Sequence, residues 1–299
     1  MFNPFRRAIA TRRMKPARFL HLIAHRGDAA SCPENTLPAF QSALDLGLRF
    51  VEVDVQISAN GVPVAVRDSS VRVQDTTVPV AELTAAELGQ VDASQPHRFG
   101  DRFRGTGIAR LVDVLSRVTK RAETTVFVTL GRASVVHFGY EQAVAQVAEA
   151  IKPFRSRSIF VCEDVPAVHR ARQLSGLQIG WVLPAYDAHT RIKCEALQPD
   201  YVFCERSLLP AGTALWRGPW RWVVRDVTTL EHALALAALG ADFAATLDAR
   251  ALGDAMRAHA LAQAAAHATA QPPAEARPAD PQIGDESTTI ARTTLVSRP

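Results

Sequence analysis

The sequence predicts a (β/α)8 barrel, an α/β fold in which eight parallel strands are closed by an outer layer of helices. Three observations point to it. The 299 residues suit one barrel of ~250 residues with a short extension at each end. Short β-branched apolar runs alternate with longer segments of helical period, the pattern of repeated βα units. The Gly-rich turns GxGxxG or GxxxxGKS/T, which would accompany a nucleotide site on an open doubly wound sheet, do not occur.

The elements follow in order. Leu20–Ala24 reads as the first strand and runs into His25-Arg26-Gly27. Pro33-Glu34-Asn35-Thr36 then precedes apolar residues at 37, 40, 43 and 44, so Asn35 or Thr36 caps a helix over Leu37–Leu46. Phe50–Val55 is the second strand. Asn60-Gly61 beyond it is a two-residue hairpin signal, and that register sets Asp54 opposite Arg67 and Val53 opposite Asp68. Ser69–Thr106 has weak periodicity and reads as a small insertion before a helix over Leu111–Val118. Further strands are expected at Thr125–Leu130, Ser158–Val161, Gln178–Leu183, Tyr201–Phe203, Arg221–Val224 and Asp242–Ala245. Helices are expected at Glu141–Ile151, Val165–Leu174 and Leu230–Leu239, and the Ala-rich stretch 251–270 closes the fold. The domain reading is therefore a basic, disordered arm at 1–19, a barrel at 20–253, an Ala-rich helix at 254–270 and a disordered tail at 271–299.

Composition removes several classes of function. With 47% hydrophobic and 21% charged residues the chain is globular, and no apolar run approaches the ~18–20 residues of a membrane span. The net charge of +4 comes from the arm, where Arg6, Arg7, Arg12, Arg13, Lys15 and Arg18 stand without an acidic residue. Set aside, they leave a slightly negative body without the basic stripe of a nucleic-acid binder. The arm itself offers at most a weak contact with an anionic membrane. Cys32, Cys162, Cys194 and Cys204 are scattered, without CxxC pairs, which fits a reducing compartment and a cytoplasmic setting. His137, His169, His232, His259 and His267 read as surface residues. Trp216, Trp220 and Trp222 read as packing for a loop and its strand, with Trp222 also a candidate ligand contact.

Barrels of this kind place chemistry at the C-terminal ends of the strands. There His25-Arg26 sets a proton-transfer group beside a fork suited to phosphate oxygens. Glu52 and Asp54, two apart, lie on one face of a strand and offer oxygen donors to a hard divalent cation, or an ion pair to Arg67.

Residues 23–68 resemble the glycerophosphodiester phosphodiesterase family. HRG, PENT, AF..AL..G, E-x-D-V and the NG hairpin occur in order at the family's spacing. Weaker likeness continues at Ile108–Leu115, Trp222–Asp226 and Gly240–Asp248, so the resemblance covers roughly residues 20–253. It implies a TIM barrel of the PLC-like phosphodiesterase type. The implied reaction is Mg²⁺- or Ca²⁺-dependent hydrolysis of glycerophosphodiesters in lipid metabolism. By the same resemblance His25 is one of two acid–base histidines, Arg26 holds the phosphate, and Glu52 and Asp54 are two of three metal carboxylates.

Four positions depart from that pattern. The second histidine, in an H-D dipeptide ending the hairpin, is Arg67. The third metal carboxylate, the Glu of an E-x-K strand, is Thr129, and the Lys is Gly131, with Arg132 one position late. The Asn of W-T-V-N is Arg225. Arginine keeps its proton at any working pH and cannot serve as acid or base. The expectation is a family member with weak or lost hydrolase activity, in which Arg67 neutralises Glu52 and Asp54 and binds substrate together with Arg26 and Trp222. The alternative is a non-catalytic barrel that binds a phosphorylated ligand or a partner. Glu163 and Glu205 are candidate replacement ligands, and each reads equally as half of a rim ion pair.

Overall fold

The computed structural model describes residues 20–270. The expected basic arm, with its membrane contact, and the expected tail lie outside the described residues. Within them the order is β1 (His21–His25), α1 (Leu37–Asp45), β2 (Phe50–Ile57), β3 (Pro63–Ala65), β4 (Ser70–Val73), β5 (Thr76–Pro79), α2 (Ala85–Leu88), α3 (Pro96–Phe99) and α4 (Leu111–Val118). It continues with β6 (Thr125–Leu130), α5 (Arg132–Phe138), α6 (Tyr140–Ile151), β7 (Ser158–Cys162), α7 (Val165–Ser175), β8 (Ile179–Val182) and α8 (Ala188–Leu197). The last elements are β9 (Tyr201–Glu205), β10 (Arg221–Arg225), α9 (Leu230–Leu239), β11 (Phe243–Thr246) and α10 (Ala249–Ala270). The eight parallel strands β1, β2 and β6–β11 pair in sequence order, and β1 pairs with both β2 and β11, which closes the barrel.

Alternation along each strand sorts the core into two layers. One set of residues, including Val51, Val53, Val55, Phe160, Trp181, Val202 and Val224, packs outward against the helices. The other, including Ile23, Phe127, Val161, Tyr201, Phe203, Val223 and Phe243, fills the interior. The interior floor is aromatic. Phe127 meets Tyr201, Phe203 and Phe243 edge-on at 5.1, 5.4 and 6.0 Å between ring centres. That plug fills the barrel interior below the mouth.

The hairpin differs from its expected register by one residue. Val55 pairs with Ala65, Gln56 with Val64 and Ile57 with Pro63, around a three-residue loop. Ser58 causes the change: its hydroxyl donates to the Val62 carbonyl at 2.8 Å and accepts from the Val62 N–H at 3.0 Å, closing the loop at 58 and 62. Gly61, at φ 77°, supplies the left-handed residue that such a loop requires. A shift of one residue moves every side chain of the returning arm to the opposite face. Position 66 therefore lies across from Asp54, not Arg67.

The insertion after β3 is a β4–β5 hairpin with two short helices, around a small core of Val64, Val80, Ala85, Leu88 and Ile108. The Ala-rich helix begins at Ala249, so the expected border at 253/254 falls within one continuous helix. No helix among the described residues is long and apolar enough to cross a membrane.

Phe127→Ala removes the centre of the aromatic plug and is expected to cost about 3–5 kcal/mol of folding free energy. A urea unfolding midpoint unchanged from wild type would contradict this packing.

Candidate active site

The mouth is built from the inward-facing ends of five strands. β1 ends in His25, β2 carries Glu52 and Asp54, β6 carries Thr129, β9 ends in Glu205 and β10 in Arg225. The register sets His25 beside Glu52, Asp54 beside Thr129, and Glu205 beside Arg225. A cavity of about 350 Å³ opens there, lined by His25, Arg26, Asp54, Arg67, Glu205, Arg225 and Asp226.

The turn after β1 explains the first two motifs. Arg26 and Gly27 both have positive φ, 63° and 81°. A side chain at Gly27 would meet the Ala39 backbone at 2.6 Å, so the HRG glycine lets the turn lie against α1. The Arg26 guanidinium is held between Glu34 at 2.9 Å and Asp54 at 2.7 Å. Asn35, also left-handed at φ 57°, accepts from the Asp54 N–H at 3.0 Å and donates to its carboxylate at 3.3 Å. Thr36 caps α1 by accepting from the Ala39 N–H. Each residue of PENT from Glu34 onward thus orients Arg26, Asp54 or the first helix.

Glu52 is fully buried, and its partners are the decisive feature of the site. Arg225 ion-pairs with it directly, and the Thr129 hydroxyl donates to the same oxygen at 2.7 Å. The Arg225 guanidinium also reaches Glu205 at 3.4 Å and lies over the Phe203 ring, 5.0 Å from its centre. Burial alone would raise the Glu52 carboxyl, but Arg225, His25 and the hydrogen bonds hold it below the usual carboxylate range. Burial lowers His25 from its ordinary value in spite of Glu52 and Asp54, 3.9 and 4.0 Å away, so the imidazole is neutral at pH 7. Glu205 moves upward, through burial and the neighbouring Asp226 carboxyl, against the pull of Arg225.

Two expectations are corrected, and the readings left open for Glu163 and Glu205 are decided. Arg67 does not neutralise Glu52 and Asp54: β3 ends at Ala65, and Arg67 reaches the cavity as an exposed side chain with no ion pair to a described carboxylate. Arg225 is the cation at Glu52, 173 residues away in sequence. Trp222 does not line the cavity, because it lies on the outward phase of β10, buried against the loop residues Tyr186 and Trp216 with its indole N–H on the Trp216 carbonyl. Glu163 is an exposed rim residue paired with Arg132 at 3.4 Å, whereas Glu205 does enter the cavity.

The corner where the resemblance would place a lysine, at Gly131, is filled with neutral groups. Gln56 donates to the Arg67 carbonyl at 2.9 Å and accepts from Ser134 at 2.6 Å. A side chain at Gly131 would overlap the Gln56 amide at 2.1 Å, so the small residue there makes room for this bridge between hairpin and α5.

The model of the glycerophosphoryl diester phosphodiesterase family matches residues 25–206, more than half of the chain. The chain belongs to this family. Glycerophosphodiester phosphodiesterase 1 of Bos taurus is 31% identical over 172 residues, covering 57% of this chain and 50% of the relative. A glycerophosphodiester phosphodiesterase of Caldanaerobacter subterraneus is 32% identical over 134 residues, covering 44% of this chain and 53% of the relative. The chain thus spans about half the length of these curated relatives. Among solved structures, an Oleispira antarctica phosphodiesterase in complex with the product sn-glycerol-3-phosphate aligns with a TM-score of 0.68 at 21% identity. That alignment covers 80% of this chain and 97% of the other. A protein from Silicibacter pomeroyi described as a glycerophosphoryl diester phosphodiesterase aligns at 0.65 and 20% identity, covering 81% and 95%. At these identities the structures establish the barrel.

The family's metal dependence is tested directly by this geometry. His25, Glu52 and Asp54 bring one ligand atom each within 4.8 Å of one another, and Glu52 Oε2 is buried without a hydrogen bond. The rest of the site does not suit a hard divalent ion, which takes six or more oxygen ligands. Both carboxylates are already paired with guanidinium groups, Asp54 with Arg26 and Glu52 with Arg225. The third ligand position holds a hydroxyl that donates its proton to Glu52. An ion between Glu52 and Asp54 would stand within a few ångströms of a guanidinium that cannot deprotonate. The residues present do not fit the ion as they stand.

Removing one partner of a buried pair leaves an uncompensated charge, so Arg225→Met is expected to lose about 3–5 kcal/mol at pH 7. The pH dependence has a definite sign. In the wild type, Glu52 contributes stability above its unfolded-state value, and this is lost as pH falls through the lower folded value. In the variant, burial without the arginine raises Glu52, and the penalty disappears on protonation. Stability curves of the two proteins therefore converge on acidification; a gap constant from neutral pH to pH 4 would refute the pairing.

Proposed function

We propose that the barrel mouth binds a small phosphoester anion, a glycerophosphodiester or its phosphomonoester product, and that its hydrolase activity is weak or lost. The observation that carries this reading is one cavity in which Arg26, Arg67 and Arg225, with neutral His25, line the wall alongside Asp54, Glu205 and Asp226. Arg26 and Arg225 are fixed by carboxylates, and the exposed Arg67, without an ion pair among the described residues, supplies charge that draws an anion in. The Oleispira antarctica neighbour, in complex with sn-glycerol-3-phosphate, supports the ligand class.

Hydrolysis requires a proton for the departing alkoxide. Of the family's two histidines His25 remains, and the position of the other holds Arg67, which keeps its proton and cannot give it up. Loss of one general acid or base costs about 10²–10⁴ in rate. Retained catalysis is the second reading, and Glu205 favours it: a carboxyl shifted upward in the same cavity is a possible proton donor. The four cysteines are buried free thiols, which supports a cytoplasmic setting.

Calorimetric titration with sn-glycerol 3-phosphate tests the proposal. Wild-type protein is expected to bind, and Arg67→Ala to bind roughly tenfold or more weakly with its melting temperature unchanged, as for loss of a charged hydrogen bond. Absence of binding by the folded wild type would sink the reading. Rapid turnover of a glycerophosphodiester, abolished by His25→Ala and Glu205→Gln, would establish the second reading instead.

A further inference from the structure

The geometry points to an exchange at the centre of the site: the Arg225 guanidinium stands in place of the family's divalent cation, and the mouth holds its ligand without a metal. The inference rests on the phosphoester-binding reading only in its last clause.

Four observations carry it. Arg225 lies on the inward phase of β10, on the Phe203 ring of the neighbouring strand, and its side chain is 8% exposed. From there it meets Glu52, a residue that the resemblance assigns to the ion, and comes within 3.4 Å of the Thr129 hydroxyl at the third ligand position. Its Nε is buried without a partner, which leaves a charged donor in a group that already lines the cavity.

The fourth observation is the charge balance of the departures. Loss of a carboxylate at Thr129 and of a lysine at Gly131 cancel. Arginines in place of an asparagine at 225 and a neutral histidine at 67 add two positive charges, equal to the charge of a divalent ion. Arg225 holds its share against Glu52, whereas Arg67 carries the other share at the exposed rim. A site with this balance needs no ion to receive an anion. With its carboxylates already compensated, it offers little net charge to attract one.

Direct Mn²⁺ titration, followed by the electron paramagnetic resonance of the free ion and by melting temperature, tests this without any ligand. Wild-type protein is expected to take up no Mn²⁺ saturably and to show no shift in melting temperature. Arg225→Asn is expected to gain stoichiometric Mn²⁺ uptake and a rise in melting temperature on adding the ion. Should Arg225→Asn fail to fold, Arg225→Asn/Thr129→Glu, with the third carboxylate restored, is expected to fold in the presence of Mn²⁺. Arg67→His is the control and should gain nothing.

Saturable uptake by the wild type that is lost in Glu52→Gln would overturn the exchange. So would uptake gained by Arg67→His, which would move the role to the other arginine. Failure of all variants to bind Mn²⁺ would equally refute it, because the guanidinium would then stand in no ion's place. For the last clause, sn-glycerol 3-phosphate binding by the wild type must be unchanged by EDTA. A protein that binds no phosphoester but behaves as expected toward Mn²⁺ would refute the ligand reading and leave the exchange intact.

Discussion

The arrangement of the mouth depends on the buried ion pair between Glu52 and Arg225. Glu52 has no exposed surface, and a carboxylate in that position persists only if a cation and hydrogen bonds replace its water. Arg225 provides the cation, Thr129 a hydroxyl, and the Phe203 ring a flat support that holds the guanidinium level with both acids. From this pair a chain of ion pairs extends on both sides of the mouth. Glu205 lies beyond Arg225, and on the other side neutral His25 separates Glu52 from Asp54, which pairs with Arg26 and through it with Glu34. Each charged member of this chain is held by an oppositely charged neighbour, so the site is costly to alter one residue at a time.

The aromatic floor and the polar rim are two consequences of one alternation. Inward positions below the mouth are aromatic or aliphatic, among them Ile23, Phe127, Phe203 and Val223, and the inward positions at the strand ends include His25, Asp54, Thr129, Glu205 and Arg225. A water-excluding plug directly below charged groups lowers the local dielectric, which strengthens their mutual attraction and makes an unpaired member intolerable. Burial of His25 above that plug keeps its imidazole neutral despite two carboxylates at about 4 Å.

Much of this was legible in the sequence because it follows from periodicity and short-range chemistry. The eight barrel strands, the helix at Leu111–Val118 and the cap at Thr36 lie where alternation, helical spacing and capping residues place them. Helix α8, Ala188–Leu197, was hidden by its mixed and largely polar composition, although Asp187 accepting from the Thr190 N–H is a recognisable start. The hairpin register turned on whether Asn60-Gly61 closes a loop of two residues or three. Ser58 decided it, through hydrogen bonds that its type permits but does not require. The pairing of Arg225 with Glu52 was not legible, because it joins residues from nearly opposite ends of the barrel sequence. The available signal was phase: Arg225 follows Val223 by two and so faces inward, where Trp222 cannot.

Replacing an ion by a guanidinium preserves some properties and forfeits others. Both present positive charge to an anion, and arginine adds planar, directional donors suited to phosphate oxygens. A guanidinium, however, has no open coordination position and cannot lower the pKa of a bound hydroxyl as an ion does. On the proposed reading, what remains at this mouth is recognition: fixed donors from Arg26 and Arg225, exposed charge from Arg67, and one neutral imidazole. Catalysis would then depend on His25 and Glu205 alone, two groups whose shifts in opposite directions bring a base and an acid toward each other's range. Under the proposed exchange, the barrel keeps the fold of its family while the charge that organises its mouth is part of the chain.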